Sequence, residues 1–398
     1  MSGQQRSLVL CSWGRIVAVW RTALKKSLPH PLLGSFSAET FMRRYWQKRP
    51  LLIRQAVAGI QPLLTRQQLF ALAQSEDVES RLVVNDTAQG QWRLKSGPFG
   101  QRSLPSLKQS HWTLLVQGVD LHDDKVAKLR DQFRFIPDAR LDDVMISYAT
   151  DKGGVGPHFD SYDVFLLQVH GQRRWRISQQ KDLTLRDDTP LKVLRRFKAE
   201  ESWVLNPGDM LYLPPQCAHD GVALGECMTY SIGFKAQTPQ ALAQQLLPRF
   251  ADMDVVKEAA RYRDPSQAAT GHPARIPEQL QAFAHHAIES ALRQKHASEK
   301  VLGEWLSEPK AQVWFDSQDS QDLQKGVVLD RKTKMLYDQR YVYINGESWR
   351  CAGADARTLR SLADQRGLNH KQIQQSSETV LSVLEEWMQA GWLHPQGH

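Results

Sequence analysis

The sequence predicts an α+β protein whose central part is a β-rich sandwich or barrel flanked by helices. Between residues 142 and 234, short runs rich in β-branched and aromatic residues are separated by glycine and proline, a pattern typical of many short strands. On both sides of this part the apolar residues recur at helical spacing. The length of 398 residues exceeds one ordinary core and predicts two or three domains.

The composition excludes several classes of protein. With 41% hydrophobic residues and twelve tryptophans the chain can bury a large core, so a disordered protein is excluded. No apolar run approaches the roughly 20 residues that a membrane-spanning helix needs. The four cysteines include no C-x-x-C pair, which argues against a disulfide framework or a cysteine zinc site and fits a reducing cytoplasm. They are Cys11, Cys217, Cys227 and Cys351.

The net charge of +8 is concentrated at the N terminus. Residues 1–50 contain nine Lys and Arg residues against the single acid Glu39, whereas the other 348 residues contain 42 basic and 42 acidic residues. A secretory signal is not predicted, because Arg15 interrupts the apolar stretch and Lys25-Lys26 follow it. We therefore expect residues 1–34 to form a loose basic extension ahead of a neutral body.

Two helices are expected before the β-rich part. Ser37 can cap a helix that runs through Lys48 and is ended by Pro50. Its buried face is predicted to contain Phe41, Met42, Tyr45 and Trp46. A second helix is predicted from Thr65, because Thr65 and Gln68 form a capping-box pair before an apolar run.

Six short strands are predicted in the central part. They are Val144–Ala149, Phe165–Val169, Arg174–Ile177, Ser202–Leu205, Met210–Leu213 and Thr229–Phe234. After Thr238-Pro239, which is a typical helix start, the apolar spacing becomes helical as far as Phe250. A polar linker is expected near residues 264–277, followed by another helix that reaches Leu292.

The C-terminal part combines strands and helices. Strands are predicted at Val327–Leu329 and Tyr341–Ile344, and Asn345-Gly346 indicates a tight hairpin turn after the second of them. Two helices are predicted around Leu359–Ala363 and Val380–Met388. This part is therefore expected to fold as a separate small α+β unit.

The most informative stretch is the glycine-rich run from Gly153 to Asp163, which contains His158 and Asp160. Residues i and i+2 of an extended chain point to the same face, so these two side chains should project together into the barrel, as two ligands of one metal would. A third ligand, His219, follows about sixty residues later, after a Pro-Gly-Asp turn, a strand and a proline-stiffened loop.

Two histidines and one carboxylate form the facial triad of non-haem Fe(II) oxygenases, which leaves open positions for a cosubstrate and dioxygen. A structural zinc site would be closed by four protein ligands and usually contains thiolates. The set of His158, Asp160 and His219 therefore favours iron, while zinc bound through one carboxylate stays open. His-x-Asp alone is a weak motif, and it is the combination with the glycine-rich entry and the later histidine that points to a metal centre.

Oxidative chemistry at such a centre needs an electron source, which 2-oxoglutarate supplies if a cation binds its distal carboxylate. Arg173 is the candidate for that cation. If His170-Gly171 forms a two-residue turn, Arg173 pairs with Gln168, whose even number places it on the face of the predicted metal ligands. Arg174 and Arg176 have the opposite parity and are expected to face solvent.

Seven segments carry a resemblance to a known family. They are Trp46–Pro50, Asp142–Ser147, Gly153–Phe165, Arg173–Arg176, Pro207–Pro215, His219 and Tyr230–Phe234. In these segments the chain resembles the JmjC/cupin 2-oxoglutarate oxygenases, and within them the bacterial ribosomal oxygenases that hydroxylate an arginine of a large-subunit ribosomal protein. The resemblance is strong over about residues 35–237.

This resemblance implies a domain organisation. Residues 35–237 would form a double-stranded β-helix (cupin/JmjC) core with flanking helices, which is the oxygenase domain. Residues 238–310 would form a helical dimerisation segment, and residues 311–398 a winged-helix-like domain. The protein would then be a homodimer.

The resemblance also implies the roles of the site residues. His158, Asp160 and His219 would bind Fe(II), and Arg173 would bind the 2-oxoglutarate carboxylate. Ser147 and Ser231, on neighbouring strands, are further candidates for lining the cosubstrate pocket, although either could equally be an ordinary hydrogen-bonded hydroxyl of the barrel.

The implied activity is the hydroxylation of an arginine side chain in a 50S ribosomal protein in the cytoplasm. Dioxygen and 2-oxoglutarate would be consumed, and succinate and carbon dioxide released. Asp163 and nearby acids are candidates for receiving the guanidinium, with an ordinary surface acid as the alternative. A histidine substrate also stays open, because the metal chemistry does not by itself choose the side chain.

Two other functions stay open at this point. A metal-binding cupin enzyme that does not use 2-oxoglutarate would share the barrel, but the His-x-Asp ligand set with Arg173 suits cosubstrate binding better. A nucleic-acid-binding regulator would use the C-terminal unit as a winged helix. Residues 311–398 contain ten basic and eleven acidic residues, whereas a domain that reads DNA should be clearly basic, so no direct DNA binding is expected.

Overall fold

A computed structural model of the chain describes residues 28–86, 91–100, 102–252, 261–293, 296–317 and 323–396. Residues 1–27, which make up most of the predicted basic extension, lie outside the described residues. The expectation of a loose chain is wrong for Pro31–Leu33, which form a 3-10 helix whose Leu32 and Leu33 are buried in the main core. The helices are α1 Ala38–Arg44, α2 Arg66–Leu72, α3 Asp124–Asp131, α4 Pro239–Ala251, α5 Glu278–Leu292, α6 Ala297–Ser307, α7 Gly353–Gln365, α8 His370–Gln374 and α9 Glu378–Gln389.

The strands of the first half form one antiparallel sheet. They are β1 Leu51–Ile53, β2 Ser80–Asp86, β3 Gln91–Ser96, β4 Trp112–Val116, β5 Leu141–Ala149, β6 Asp163–Ser178, β7 Glu201–Leu205, β8 Met210–Leu213 and β9 Ala218–Phe234. Their order is β1-β8-β6-β9-β5-β4-β2-β3, with β7 paired to the end of β6. Because the long strands β6 and β9 pair from end to end, they join the two halves of the sheet, and the β-rich core with flanking helices that the sequence predicts is confirmed.

The two faces of this sheet have different environments. Even-numbered residues of β5 such as Val144 and Ile146 pack under α1, α2 and α3 in the main apolar core, together with large side chains such as Phe41 and Tyr212. Odd-numbered residues of β5, Met145 and Ser147, point instead into the pocket of the barrel. The alternation along each strand therefore divides the residues that stabilise the barrel from those that line its interior.

The predictions for the first two helices are partly confirmed. Ser37 caps α1 by accepting a hydrogen bond from the backbone N–H of Thr40, and Thr65 and Gln68 form the predicted capping box of α2. The first helix ends at Arg44 and not at Lys48, because the following chain turns and Gln47 adopts a left-handed conformation with φ 55°. That turn lets the N–H of Gln47 donate to the hydroxyl of Tyr212, a tertiary contact that outweighs helix continuation.

One prediction about the central strands is wrong. His170-Gly171 forms no turn, and the predicted strands 165–169 and 174–177 are parts of the single strand β6. The register of β6 against β9 shifts twice around His170, and Gly171 adopts a left-handed conformation with φ 59°. Arg173 consequently pairs with Ala223 and Leu205, and Gln168 pairs with Thr229. A glycine can absorb an irregularity in a ladder without ending the strand.

The described residues of the C-terminal domain include six further strands. They are β10 Gly326–Leu329, β11 Met335–Tyr337, β12 Tyr341–Ile344, β13 Glu347–Arg350, β14 Gly367–Asn369 and β15 Leu393–Pro395. Two three-stranded sheets, β14-β10-β15 and β11-β12-β13, pack with α7–α9 around a core that includes Trp387. The predicted hairpin is confirmed, since Asn345 and Gly346 both have positive φ and join β12 to β13.

Arginine and lysine side chains connect the C-terminal part of the chain to the barrel domain. Arg134, just after α3, donates to the backbone carbonyls of Ala363 and Asp364 at the end of α7. Arg331 donates to the carbonyl of Leu121, on the barrel domain. Lys310, which follows α6, bonds the carboxylate of Asp143 at 2.9 Å. These charge-assisted contacts stabilise one arrangement of the two domains. Among the described residues, no helix is both long and apolar enough to cross a membrane.

Candidate metal centre

Two histidines from distant parts of the sequence meet at the mouth of the barrel. His158 lies in the extended segment that precedes β6, and His219 lies near the start of β9. Their backbones form an antiparallel bridge with N–H···O distances of 2.9 and 2.7 Å, and the centroids of their rings are 4.2 Å apart. The bridge therefore positions both imidazoles through the main chain, independently of the side-chain packing.

Hydrogen bonds determine which nitrogen of each ring is protonated. Nδ1 of His158 lies 2.8 Å from the carbonyl oxygen of Gly156, and Nδ1 of His219 lies 2.9 Å from that of Cys217. A carbonyl oxygen only accepts, so each Nδ1 must donate, and in the neutral ring Nε2 then carries the free lone pair. This is the arrangement in which histidine binds a metal, with a backbone carbonyl orienting the ring.

Asp160 completes the group. Its Oδ2 lies 3.6 Å from Nε2 of His219, and one ligand atom from each of the three residues falls within 4.8 Å of the others. The carbonyl of Asp160 accepts a hydrogen bond from the N–H of Gln216, which ties the ligand segment to the loop before β9. Two imidazole nitrogens and one carboxylate on one side of a cavity can hold a divalent metal ion and leave its other positions accessible.

His219 is also in the protonation state that a metal ligand requires. Only 2% of this residue is exposed. Burial, and then the nearby His158, lower the pKa of His219 to about 4. Its ring is consequently neutral near pH 7, as a metal ligand must be.

Arg173 lies in the same pocket, on β6. It is 4% exposed, its Nη2 lies 3.6 Å from the Sγ of Cys227, and its Nε has no hydrogen-bond partner. No ion pair joins it to a carboxylate among the described residues, which is unusual for a buried guanidinium. An anion in the pocket would satisfy this group, so the arginine fits the carboxylate of a bound acid.

The two predicted serines both line the pocket. The hydroxyl of Ser147, on β5, donates to the carbonyl oxygen of Thr229, as an ordinary barrel hydroxyl would. Ser231 lies on β9, two residues after Thr229. Thr229 itself donates to the side-chain oxygen of Gln168 at 2.8 Å. Sequence reasoning missed Thr229, although its spacing of two from Ser231 on a predicted strand was the available signal.

The pocket has a volume of about 440 Å³ and includes further side chains that sequence reasoning did not select. Tyr162 and Trp175 lie two residues after Asp160 and Arg173, respectively, so the same alternation could have identified them. Burial, and then the carboxylates of Asp160, Asp143 and Asp142, raise the pKa of the Tyr162 hydroxyl. The tyrosine is therefore neutral near pH 7.

The suggestion that Asp163 receives a guanidinium in the pocket is wrong, and so is the alternative that it is a surface acid. Asp163 is completely buried on the other face of β6. Its carboxylate accepts hydrogen bonds from Tyr212 at 2.6 Å, Gln47 at 3.0 Å and Arg140 at 3.2 Å. It stabilises the contact between the N-terminal helical region and the sheet. By contrast, Arg174 and Arg176 face solvent as expected.

Two family models match the chain. A JmjC domain model matches residues 128–242, which include the three clustered ligands and Arg173. A ROXA-like winged-helix model matches residues 288–394. The two matches follow one another along the chain, in the order of the barrel domain and the C-terminal domain.

Curated relatives are similar over most of the chain. The ribosomal protein uL16 3-hydroxylase of Escherichia coli (strain K12) is 35% identical over 277 residues, which cover 69% of this chain and 72% of that protein. A probable ribosomal oxygenase of Haemophilus influenzae is 29% identical over 393 residues, covering 89% of this chain and 95% of the relative.

Solved structures show the same architecture. The crystal structure of E. coli ycfD superposes with a TM-score of 0.77 at 28% identity, covering 90% of this chain and 98% of that one. A structure described as YcfD, a ribosomal oxygenase from E. coli, in complex with cobalt and 2-oxoglutarate gives a TM-score of 0.74 at 28% identity, covering 91% and 99%. The similarity thus extends over both domains.

Proposed function

This chain belongs to the family of JmjC-domain ribosomal oxygenases, and on that basis we propose that it is an Fe(II)- and 2-oxoglutarate-dependent hydroxylase of an arginine side chain in a large-subunit ribosomal protein. The observation that carries the proposal is the buried, unpaired guanidinium of Arg173 in the same pocket as the cluster of His158, Asp160 and His219. A relative whose structure contains cobalt and 2-oxoglutarate supports both assignments.

In this proposal the protein binds and orients the reactants. Nε2 of His158, Nε2 of His219 and a carboxylate oxygen of Asp160 would hold the iron, and the hydrogen bonds from each Nδ1 to a carbonyl would keep both rings aligned. The bound iron, with 2-oxoglutarate and dioxygen, supplies the oxidising chemistry that converts a C–H bond into C–OH and releases succinate and carbon dioxide.

The other pocket residues have binding roles. Arg173 would pair with the distal carboxylate of 2-oxoglutarate in a site with little solvent, where a charge-assisted hydrogen bond is strong. Ser231 lines the same pocket and would offer its hydroxyl group to that acid, whereas the hydroxyls of Ser147 and Thr229 donate within the barrel. Apolar neighbours such as Leu166 exclude water from the pocket.

The choice of an arginine substrate follows the family resemblance. The carboxylate of Asp143, which is buried near Gly233, is already paired with Lys310 at 2.9 Å and does not by itself attract a substrate cation. The uL16 hydroxylase among the relatives supports a ribosomal protein as the substrate, and the proposed enzyme would act on it in the cytoplasm.

For the rest of the chain we retain the predicted division into an oxygenase domain at 35–237, a helical dimerisation segment at 238–310 and a winged-helix-like domain at 311–398. Exposed apolar residues on the middle helices support a homodimer. They are Leu247 on α4 and Leu280, Phe283, Ile288 and Leu292 on α5. Apolar side chains of this size are rarely left to solvent, so a second copy would cover them.

The two other functions have less support. A cupin enzyme that does not use 2-oxoglutarate would have no need of a buried arginine without an ion pair in the same pocket as the metal cluster. A regulator that reads DNA would need a basic winged helix, and residues 311–398 have one more acidic than basic residue.

The experiment that tests the proposal is mass analysis of ribosomal peptides. Arginine- and histidine-bearing peptides are incubated with the protein, Fe(II) and 2-oxoglutarate, alongside the variants His158→Ala and Arg173→Ala. We expect one oxygen to be added to an arginine, only with 2-oxoglutarate and not with His158→Ala. Addition to histidine would overturn the arginine assignment. Absence of succinate formation, with iron demonstrably bound, would overturn the use of 2-oxoglutarate.

A further inference from the structure

The main sheet has an open edge beside the metal pocket. β3 is the last strand in the order β4-β2-β3, and it pairs only with β2 among the described residues. An edge strand presents a row of unpaired backbone N–H and C=O groups to any extended chain that approaches it.

The hydrogen-bond pattern identifies which residues of β3 face outwards. The N–H of Gly97 donates to the carbonyl of Ser80, so odd-numbered residues at this end of β3 bond to β2. The pairing of β2 with β4 gives the same result. The N–H of Gln117 donates to the carbonyl of Glu79, so the odd-numbered residues of β2 bond to β4 and the even-numbered ones bond to β3. Successive residues of a strand direct their N–H and C=O groups alternately to one side and to the other. The groups of the even-numbered residues Trp92, Leu94 and Ser96 therefore point away from β2.

No hydrogen bond from a described residue reaches these outward groups. The strand is also partly exposed on its outer face, where Arg93 and Lys95 lie in solvent. Within the described part of the chain, the outward groups are therefore available as donors and acceptors at the repeat of a β-ladder.

This edge is continuous with the metal pocket. Leu94 lines the pocket that contains His158. A Cβ built on Gly156 would lie 2.8 Å from the ring of Trp92, and the carbonyl of the same glycine orients His158. Side chains of β3 that share a face with Leu94 consequently face the pocket, and so would every second side chain of a strand added beyond β3.

We propose that the open edge of β3 binds an extended segment of the protein substrate as an additional β-strand, through the outward backbone groups of Trp92, Leu94 and Ser96. A row of alternating donors and acceptors at this spacing is matched by another extended polypeptide backbone, whereas a nucleic acid would be bound through phosphates by Arg93 and Lys95. This inference rests on the proposed function, because it requires the substrate to be a protein.

The added strand would have two consequences for recognition. Backbone pairing would hold the segment in one register, and alternate side chains would reach over the pocket mouth, so the target side chain would be selected by its place on that face. Affinity would come mainly from the main chain, and the choice of side chain from the pocket.

The first test uses the unmodified enzyme and a synthetic uL16 peptide that contains the residue found to gain oxygen. Each backbone nitrogen of the peptide is methylated in turn, which removes one donor. We expect KM to rise about tenfold or more at every second position next to the target residue and to change little at the positions between. A rise in KM that does not alternate between successive methylated positions would overturn the strand-pairing proposal.

A second test changes the enzyme. Ser96→Pro removes one outward N–H at an exposed position of an edge strand, where proline is tolerated, and Ser96→Ala keeps that N–H as the matched control. We expect a higher KM for the peptide with Ser96→Pro only, with similar melting temperatures for both variants. If the replacements Arg93→Gln and Lys95→Gln raise KM while N-methylation has no effect, the contact is electrostatic and the proposal is wrong.

The outcomes also separate this inference from the function on which it rests. If the unmodified peptide gains no oxygen with the wild-type enzyme and 2-oxoglutarate is not consumed, the proposed function fails. If the unmodified peptide is hydroxylated normally and its N-methylated forms are hydroxylated equally well, only the role of the β3 edge is excluded.

Discussion

Nη2 of Arg173 lies 3.6 Å from the Sγ of Cys227, so this buried guanidinium contacts a cysteine side chain and not a carboxylate. Among the described residues no carboxylate forms an ion pair with the arginine. Its positive charge is therefore available for a ligand, because a permanent ion pair would compete with an incoming acid.

The variant Cys227→Asp should therefore inhibit cosubstrate binding. The new carboxylate would pair with Arg173, and we expect KM for 2-oxoglutarate to rise about tenfold or more, equivalent to about 1.4 kcal/mol. Cys227→Ser, which adds no charge, is the control and should change KM much less. Equal effects of the two variants on KM, measured by succinate formation, would contradict a carboxylate-binding role for Arg173.

Replacing Asp160 should weaken metal binding without unfolding the barrel. Asp160→Asn removes the only charged ligand of the cluster, and we expect the affinity for Co(II), measured by calorimetry, to fall at least about tenfold. Asp187→Asn changes a carboxylate that is 89% exposed on a loop and serves as the control. Unchanged cobalt affinity in Asp160→Asn would show that the metal binds elsewhere.

The irregularity at Gly171 should be essential to the site. A Cβ on this residue would lie 2.0 Å from the carbonyl oxygen of Glu226, and its φ is also positive. Gly225 has a positive φ too, but a Cβ there meets nothing within 4 Å. Gly225→Ala should cost about 1 kcal/mol from backbone strain alone, and Gly171→Ala clearly more, with a raised KM for 2-oxoglutarate as the register near Arg173 changes.

Denaturant unfolding compares the two glycine variants. If Gly171→Ala were no less stable than Gly225→Ala, the close approach of Glu226 would not constrain the strand. If its stability fell while KM for 2-oxoglutarate stayed normal, the irregularity would stabilise the fold without positioning Arg173.

Lys334 should make stability depend on pH in the alkaline range. Burial, and then the neighbouring Lys235 and Lys310, lower the pKa of Lys334 from 10.5 to about 8. Between these values the unfolded chain binds more protons than the folded protein, so this residue makes stability rise with pH from about 8 to 10.5. Lys334→Met should raise the melting temperature at pH 7, and the gain should disappear near pH 10.5.

Thermal unfolding at several pH values measures this effect. Lys371→Met is the control, because Lys371 is exposed on α8 and the same change should leave the melting temperature nearly constant. A Lys334→Met variant that is less stable than the wild type at pH 7 would mean that the lysine makes a favourable contact in solution.

Local signals in the sequence predicted many elements correctly. The capping box of Thr65 and Gln68, the cap at Ser37 and the Asn345-Gly346 hairpin depend on a few neighbouring residues, and all three form as expected. Strands β1 to β4 were not predicted. β3 contains polar residues such as Arg93 and Lys95 and lacks an apolar run, as is common at a sheet edge, whereas the run Leu82-Val83-Val84 of β2 was an available signal. The presence of β3 follows from pairing with β2, which local patterns do not reveal.

The sequence argument for Arg173 identified a true pocket residue, although the turn at His170-Gly171 that it assumed does not form. Val164 and Leu166 line the pocket at the start of β6, and Arg173 and Trp175 line it at the end. The pocket face therefore changes from even to odd numbers within one strand, across the irregularity near Gly171. A rule based on strict alternation fails wherever the ladder contains a bulge.

The sequence by itself determined the ligand types, the spacing of His158 and Asp160, and the buried arginine candidate, because residue chemistry and the two-residue period of an extended chain are local properties. Only the tertiary structure decided that His219 would lie opposite His158 and that Arg173 would turn into the pocket. Both depend on strand register between segments about fifty or more residues apart. That register is set by closure of the barrel and by the bulge at Gly171, and the packing of the whole sheet stabilises both.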